Sequence, residues 1–289
     1  MSFTAASLKI DQACHWISSW GLNYTNTRFH RYQRLFQELA RAESHQDFWD
    51  ILDKYEFHII TNAINEANEF LRIYEGLKHE THPQLKFRLK RILQGHELFA
   101  KDISGARDFS LELDVIARFA KDGFPIDHSH IADLATDVNG IPVFAECKRL
   151  RSHNKVAANI KEGLDQLTKR YDSHRTPASA RGLLVLSIAA LLNPSLEPSK
   201  GVDSARLQRD LERLHRDFVE QHKHHWEGRL CDPRTIAVVL IYNVPAIVNR
   251  RLTTCHQLDI RHRHNLAHAD VLLAKQIEVP TKFRLPWVT

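Results

Sequence analysis

The stretch Ile131-Ala132-Asp133-Leu134-Ala135-Thr136-Asp137-Val138-Asn139-Gly140-Ile141-Pro142-Val143-Phe144-Ala145-Glu146-Cys147-Lys148 decides how this chain is read. Asn139-Gly140 is the strongest short-range signal for a two-residue hairpin turn, whose central positions both need positive φ. The flanking runs, 132–138 and 142–150, read as its two strands. With a two-residue loop Val138 faces Ile141, and counting outward sets Asp133 opposite Glu146. Side chains alternate along a strand, so Lys148 shares the face of Glu146 and Cys147 points the other way. Directly opposed side chains hold their Cβ atoms about 4.5–5.5 Å apart, close enough for two carboxylates to share one divalent cation.

Such a pair is costly unless neutralised, because adjacent carboxylates repel and one must otherwise keep a proton. A hard cation such as Mg²⁺, with Mn²⁺ as a substitute, resolves the conflict through oxygen ligands. The competing reading is a solvated surface cluster of charges. Against it, Val143, Phe144 and Ala145 are apolar, and the next helix and strand should cover at least one face. Asp137 is the alternative acid, but it pairs with Pro142 beside the turn. That places it roughly 13 Å along the strand from Asp133, too far to share an ion with Glu146.

Upstream, residues 7–101 carry apolar residues at spacings of three and four and predict three to five helices. Ser44-His45-Gln46-Asp47 opens one of them as a weakened capping box. The aromatics Trp16, Trp20, Phe29, Tyr32, Phe36, Trp49 and Phe57 read as core. Ser104-Gly105 breaks this texture, and 108–121 is a helix with a buried stripe of Phe109, Leu113, Ile116 and Ala120. Glu112 sits on the stripe's edge, while Asp114 is expected to face outward and pair with Arg118.

Downstream, 156–171 reads as a helix, 181–191 as a buried strand, 193–201 as a loop, 203–226 as a long charged helix and 235–242 as a strand. The basic, His-rich stretch from Arg250 yields no firm element. A sheet holding both an antiparallel hairpin and a helical crossover is mixed, with helices on its faces.

The quoted hairpin resembles the signature of the PD-(D/E)XK nuclease superfamily, an acid on one strand and Glu-x-Lys on the next. The leading proline of that signature is replaced by Ala132, a position that is not a ligand. The resemblance covers residues 105 to about 190. It is extended by Glu112 on the preceding helix and by Gln166 and Tyr171 on the following one. It implies an α/β fold, a restriction-endonuclease-like core with a mixed sheet flanked by helices, over 104–289 with a C-terminal extension. An all-helical N-terminal region (1–103) precedes it.

The resemblance also implies a Mg²⁺-dependent nuclease, an endonuclease on DNA ahead of RNA, in defence, restriction or repair. Asp133, Glu146 and the Cys147 backbone carbonyl would hold the metal, and Lys148 would orient water or stabilise developing charge. Glu112 would face the site, and Gln166 would brace Lys148 or the phosphate. Arg149, Arg151, Lys155, Lys161 and Lys169 would extend the positive field along a phosphate backbone. The alternative is a non-catalytic nucleic-acid-binding or assembly protein that keeps the fold. The N-terminal helices could serve a homodimer or a partner protein.

Composition is compatible with this reading. The chain has 289 residues, is 43% hydrophobic and carries a formal net charge of +5, with a sequence pI near 9.0. That balance suits a polyanionic partner. Cys14, Cys147, Cys231 and Cys255 show no CxxC spacing, which fits reduced thiols in a cytoplasm. No leader or membrane segment is read. His264 and His268 have the spacing of helical zinc ligands, but the stretch lacks a glutamate and a third ligand. His222-Lys223-His224-His225 reads as solvated. Walker-type, Gly-x-Gly-x-x-Gly and Gly-x-Ser-x-Gly motifs do not occur.

Overall fold

The computed structural model describes residues 3–42, 44–96, 104–173, 176–194, 197–201, 203–227, 232–248 and 251–281. Asn139 (φ 54°) and Gly140 (φ 83°) both adopt left-handed backbone, as a tight hairpin turn of matching twist requires. The turn joins β1 (Leu134–Val138) to β2 (Ile141–Arg149). The antiparallel register runs Val138↔Ile141, Asp137↔Pro142, Thr136↔Val143, Ala135↔Phe144 and Leu134↔Ala145. This is the register that a two-residue loop dictates.

From β2 the chain crosses over through α7 (Val156–Tyr171) to β3 (Arg181–Ser187), which lies parallel to β2. A second crossover passes through the short α8 (Ala189–Leu192), β4 (Ser199–Gly201) and α9 (Ser204–His222). It leads to β5 (Thr235–Val248), parallel to β3 and β4. The antiparallel edge strand β6 (Arg251–His262) pairs along β5, and α10 (His268–Thr281) follows. The sheet is thus mixed, in the order β1-β2-β3-β5-β4 with β6 also on β5.

Five helices precede this unit: α1 (Phe3–Ser19), α2 (Arg28–Arg41), α3 (His45–Lys54), α4 (Phe57–Leu77) and α5 (Pro83–Ile92). Ser44 caps α3 with both reciprocal bonds of a capping box to Asp47. Helix α6 (Ala106–Lys121) then leads into the hairpin. One buried cluster joins Ala6, Phe36 and Phe70 of the helices to Val143, Ala145, Leu183 and Val185 of the sheet. A second fills the opposite face, where Phe144, Leu184 and Leu186 meet Leu164 and Leu167 of α7 and Leu211 of α9. The sheet is therefore the middle of three layers, and α1–α6 share a packed interior with it.

Several expectations need correction. The strand over 181–191 stops at Ser187, because Ile188 turns to helical backbone and opens α8. The loop over 193–201 ends in strand β4, and the strand over 235–242 runs on to Val248. Within the tail, residues 251–262 form β6 and 268–281 form α10. Trp16, Phe29, Tyr32 and Phe36 are core, Trp20 is half-buried, and Phe57 at the start of α4 is exposed. Trp49's side chain lies outside the described residues.

Asp114 does not face outward. It is buried in α6 and paired with Arg72 (2.6 Å) as well as Arg118 (2.9 Å). The reason is that α6 is covered by α4 on one side and by the sheet on another, so its buried surface is wider than a single stripe. Cys14 and Cys147 are free thiols, while Cys231 and the Cys255 side chain lie outside the described residues. His264 sits in a turn ahead of α10, so it and His268 do not share a helix.

Candidate active site

Asp133 lies one residue before β1, where the paired register stops at Leu134↔Ala145. Its Oδ2 accepts the Cys147 backbone N–H at 2.7 Å. The contact ties the acid of the first strand to the Glu-x-Lys segment of the second. Arg88 of α5 donates to the Asp133 and Ala132 carbonyls (2.7 and 3.3 Å) and stands 4.0 Å from Glu112 on α6. An N-terminal helix thus holds the mouth of the hairpin beside the glutamate of the preceding helix.

The three carboxyls share one electrostatic environment. Burial, followed by the charge of Asp133, pushes Glu112 up to about 8. The same two causes push Glu146 up to about 7. Burial also raises Asp133, against the Cys147 amide and the charges of Lys148, Arg88 and Arg170. Three oxygen acids that hinder one another's ionisation form a hard donor set, which a divalent cation would relieve. The Cys147 thiol is raised well above its ordinary value by burial and by these same acids, so it stays a neutral thiol. Among the described residues no group of three or more His, Cys, Asp or Glu side chains is placed to hold a metal ion; a hard cation would have to draw on the Asp133 and Glu146 carboxylates and the Cys147 carbonyl.

Helix α7 supplies counter-charges that the hairpin alone does not reveal. Arg170 Nε donates to Glu146 Oε1 at 2.9 Å, and Lys148 Nζ donates to Glu162 at 2.7 Å. Gly163 brings α7 close to this face: a Cβ there would stand 3.5 Å from the Lys148 stem and 2.5 Å from Leu184. Gln166 lies between Glu162 and Arg170 on the same helical face. Its Oε1 is buried without a hydrogen-bond partner. The expected brace on Lys148 is therefore supplied by Glu162 rather than by Gln166. Glu162 and Arg170 were not anticipated, and the one available signal was their spacing of four from Gln166.

The expected phosphate-facing cations divide. Arg149 projects from the opposite face of β2, where it is engaged by Glu69 (3.2 Å) and the Arg107 carbonyl (2.8 Å). With its side chain only 9% exposed, it leaves the candidate nucleic-acid surface. Strand alternation is the cause, since Arg149 shares parity with Cys147 and not with Lys148. Arg151 pairs with Asp108 (2.8 Å) and Lys161 with Asp165 (2.6 Å), both at the surface. Lys155 and Lys169 are exposed. Asp137 stays beside the turn, where its Oδ1 accepts the Gly140 N–H at 2.6 Å. No described helix is long and apolar enough to cross a membrane. No family model, curated protein or solved structure matches this chain.

Proposed function

We propose that this protein is a Mg²⁺-dependent nuclease of the PD-(D/E)XK type, hydrolysing phosphodiester bonds of DNA in defence, restriction or repair. The observation that carries the reading is the gathering of Asp133, Glu146, Lys148 and Glu112 about one end of a hairpin. The order helix, antiparallel hairpin, crossover helix and parallel strand supports a restriction-endonuclease-like core around it. A binding module has little use for mutually repelling, half-buried acids beside a polyanion.

In this reading Asp133, Glu146 and the Cys147 carbonyl would hold the metal. When bound, it supplies Lewis acidity at the phosphate and an activated water. Lys148 directs its ammonium to the attacking water or to the charge developing on phosphate. Glu162 keeps that ammonium in place before substrate arrives. Glu112 holds a proton at neutral pH because of its burial and of Asp133.

The test is incubation with plasmid, linear and single-stranded DNA and with RNA, in Mg²⁺, Mn²⁺ or EDTA. Metal-dependent cleavage that falls about 10²–10³-fold in Lys148→Ala is the expected result. Cleavage in EDTA, or full activity in Lys148→Ala, defeats the mechanism. One observation favours the second reading, a non-catalytic nucleic-acid-binding protein: Lys148 and Glu146 are each already satisfied by α7. Tight binding without cleavage under every metal condition would select it.

A further inference from the structure

Beside the carboxylates, between the hairpin and the end of α7, lies an open cleft of about 680 Å³ that the hydrolytic residues do not use. Its volume falls in the range that holds a small molecule or one nucleotide. The His130 ring lines it and stacks on Phe144, with centroids 4.6 Å apart and planes at 21°. His130 Nδ1 accepts the Ala132 N–H at 3.0 Å, which fixes the ring's orientation. In the neutral ring the hydrogen therefore sits on Nε2. Burial depresses the His130 pKa, so the neutral ring prevails near pH 7. Ile131 stands at the rim, 78% exposed, an unusual position for a large apolar side chain.

The remaining walls carry charge in a definite order. Lys169 and Arg170 line the α7 side, Asp137 lines the turn side, and Asp127 lies on the wall that carries His130. Arg170 belongs to both places, lining the cleft while its Nε reaches Glu146. A phosphate drawn to Arg170 would thus lie next to the candidate metal ligands. The group attached to it would fall onto a flat ring and an exposed aliphatic side chain.

We infer that this cleft receives one unpaired nucleobase next to the scissile phosphate, so that the substrate class is single-stranded or locally unpaired nucleic acid. The inference rests on the nuclease reading and adds the strand state of its substrate. A stacking platform flanked by cations is the chemistry that binds unstacked bases with little regard to sequence. A base within an intact duplex can reach it only by leaving its stack.

The test is fluorescence anisotropy in EDTA at fixed salt, with a labelled single-stranded DNA oligonucleotide and a blunt duplex of the same sequence and length. The single strand should bind about tenfold tighter. His130→Ala and Ile131→Asp should each weaken single-strand binding about tenfold and leave duplex binding unchanged. Ile131 is a surface residue, so its variant tests the cleft even where His130→Ala disturbs folding. Equal affinity for both probes, no binding of either, or a folded Ile131→Asp protein that binds the single strand undiminished overturns the inference. Binding in EDTA needs neither metal nor turnover. Single-strand binding through these residues with no cleavage under any condition would therefore remove the nuclease reading alone. Cleavage of intact duplex, unaffected by either variant, would remove only the cleft's role.

Discussion

Arg170 Nε lies 2.9 Å from Glu146 Oε1, so the glutamate of the Glu-x-Lys segment meets a cation from the crossover helix. Both side chains are largely buried, 17% and 2% exposed. Removing one partner of such a pair leaves an uncompensated charge, which is the costly case. At pH 8, Arg170→Ala should lower the melting temperature of the metal-free protein. It should also enlarge the rise that Mg²⁺ produces, because the ion no longer competes with a guanidinium for Glu146. Thermal melts with and without Mg²⁺ read both effects, and a smaller Mg²⁺ shift in the variant would show that Arg170 does not compete.

The raised carboxyls set a pH dependence. An acid whose folded pKa lies above its unfolded value keeps a proton longer in the native state. Its stabilising effect is complete below the unfolded value of 4.5 and is lost as pH rises through about 7 for Glu146 and about 8 for Glu112. His215 acts in the opposite sense at lower pH, since burial depresses it from 6.5 to about 4. Between pH 6.5 and 8 the carboxyls therefore dominate this balance, and the metal-free protein should lose several degrees, at about 2–4 °C per kcal/mol. Glu112→Gln should remove most of that slope. A slope unchanged by Glu112→Gln would place its origin elsewhere.

The hairpin was legible because its turn is chemically specific: Asn139-Gly140 sets the loop length, and loop length sets every pair to Leu134↔Ala145. Parity then separated Lys148 from Cys147, and the same rule, applied one residue further, would have removed Arg149 from the phosphate surface. Asp114 was misplaced because a helical stripe assumes one covered side, whereas α6 is packed by α4 and the sheet together. Strand β6 was missed for the reason that it is an edge: its half-exposed residues include His256, Asp259 and Arg261, and no apolar run marks it. The pairs Arg170–Glu146 and Lys148–Glu162 depend on where a crossover helix settles on the sheet. Neither local propensity nor strand alternation encodes that placement.

Gly76 marks a close approach of α4 to α6. A Cβ there would stand 2.3 Å from the Ala117 carbonyl oxygen and 2.7 Å from its Cα, backbone atoms that cannot rotate away. Alanine would gain about 1 kcal/mol of helix propensity, but overpacking against backbone costs about 1–3 kcal/mol or more. Gly76→Ala should therefore lower the melting temperature. A stabilised variant would mean that the two helices separate at little cost.

The two aspartates of β1 and its approach give the sharpest comparison. Asp133 accepts the Cys147 amide and raises both Glu112 and Glu146 by its charge. Asp137 is exposed, pairs with Pro142 and accepts the Gly140 amide of the turn. Mg²⁺ should raise the melting temperature of the unaltered protein by mass action. The rise should vanish in Asp133→Asn, which keeps the size of the side chain and removes its charge. Asp137→Ala should retain the full Mg²⁺ shift and cleavage, while losing about 1 kcal/mol of stability with its turn hydrogen bond. Melts with and without Mg²⁺, combined with the cleavage assay, separate the two. A Mg²⁺ shift that survives Asp133→Asn, or a well-folded Asp137→Ala protein without activity, would move the metal toward the turn and away from Glu146.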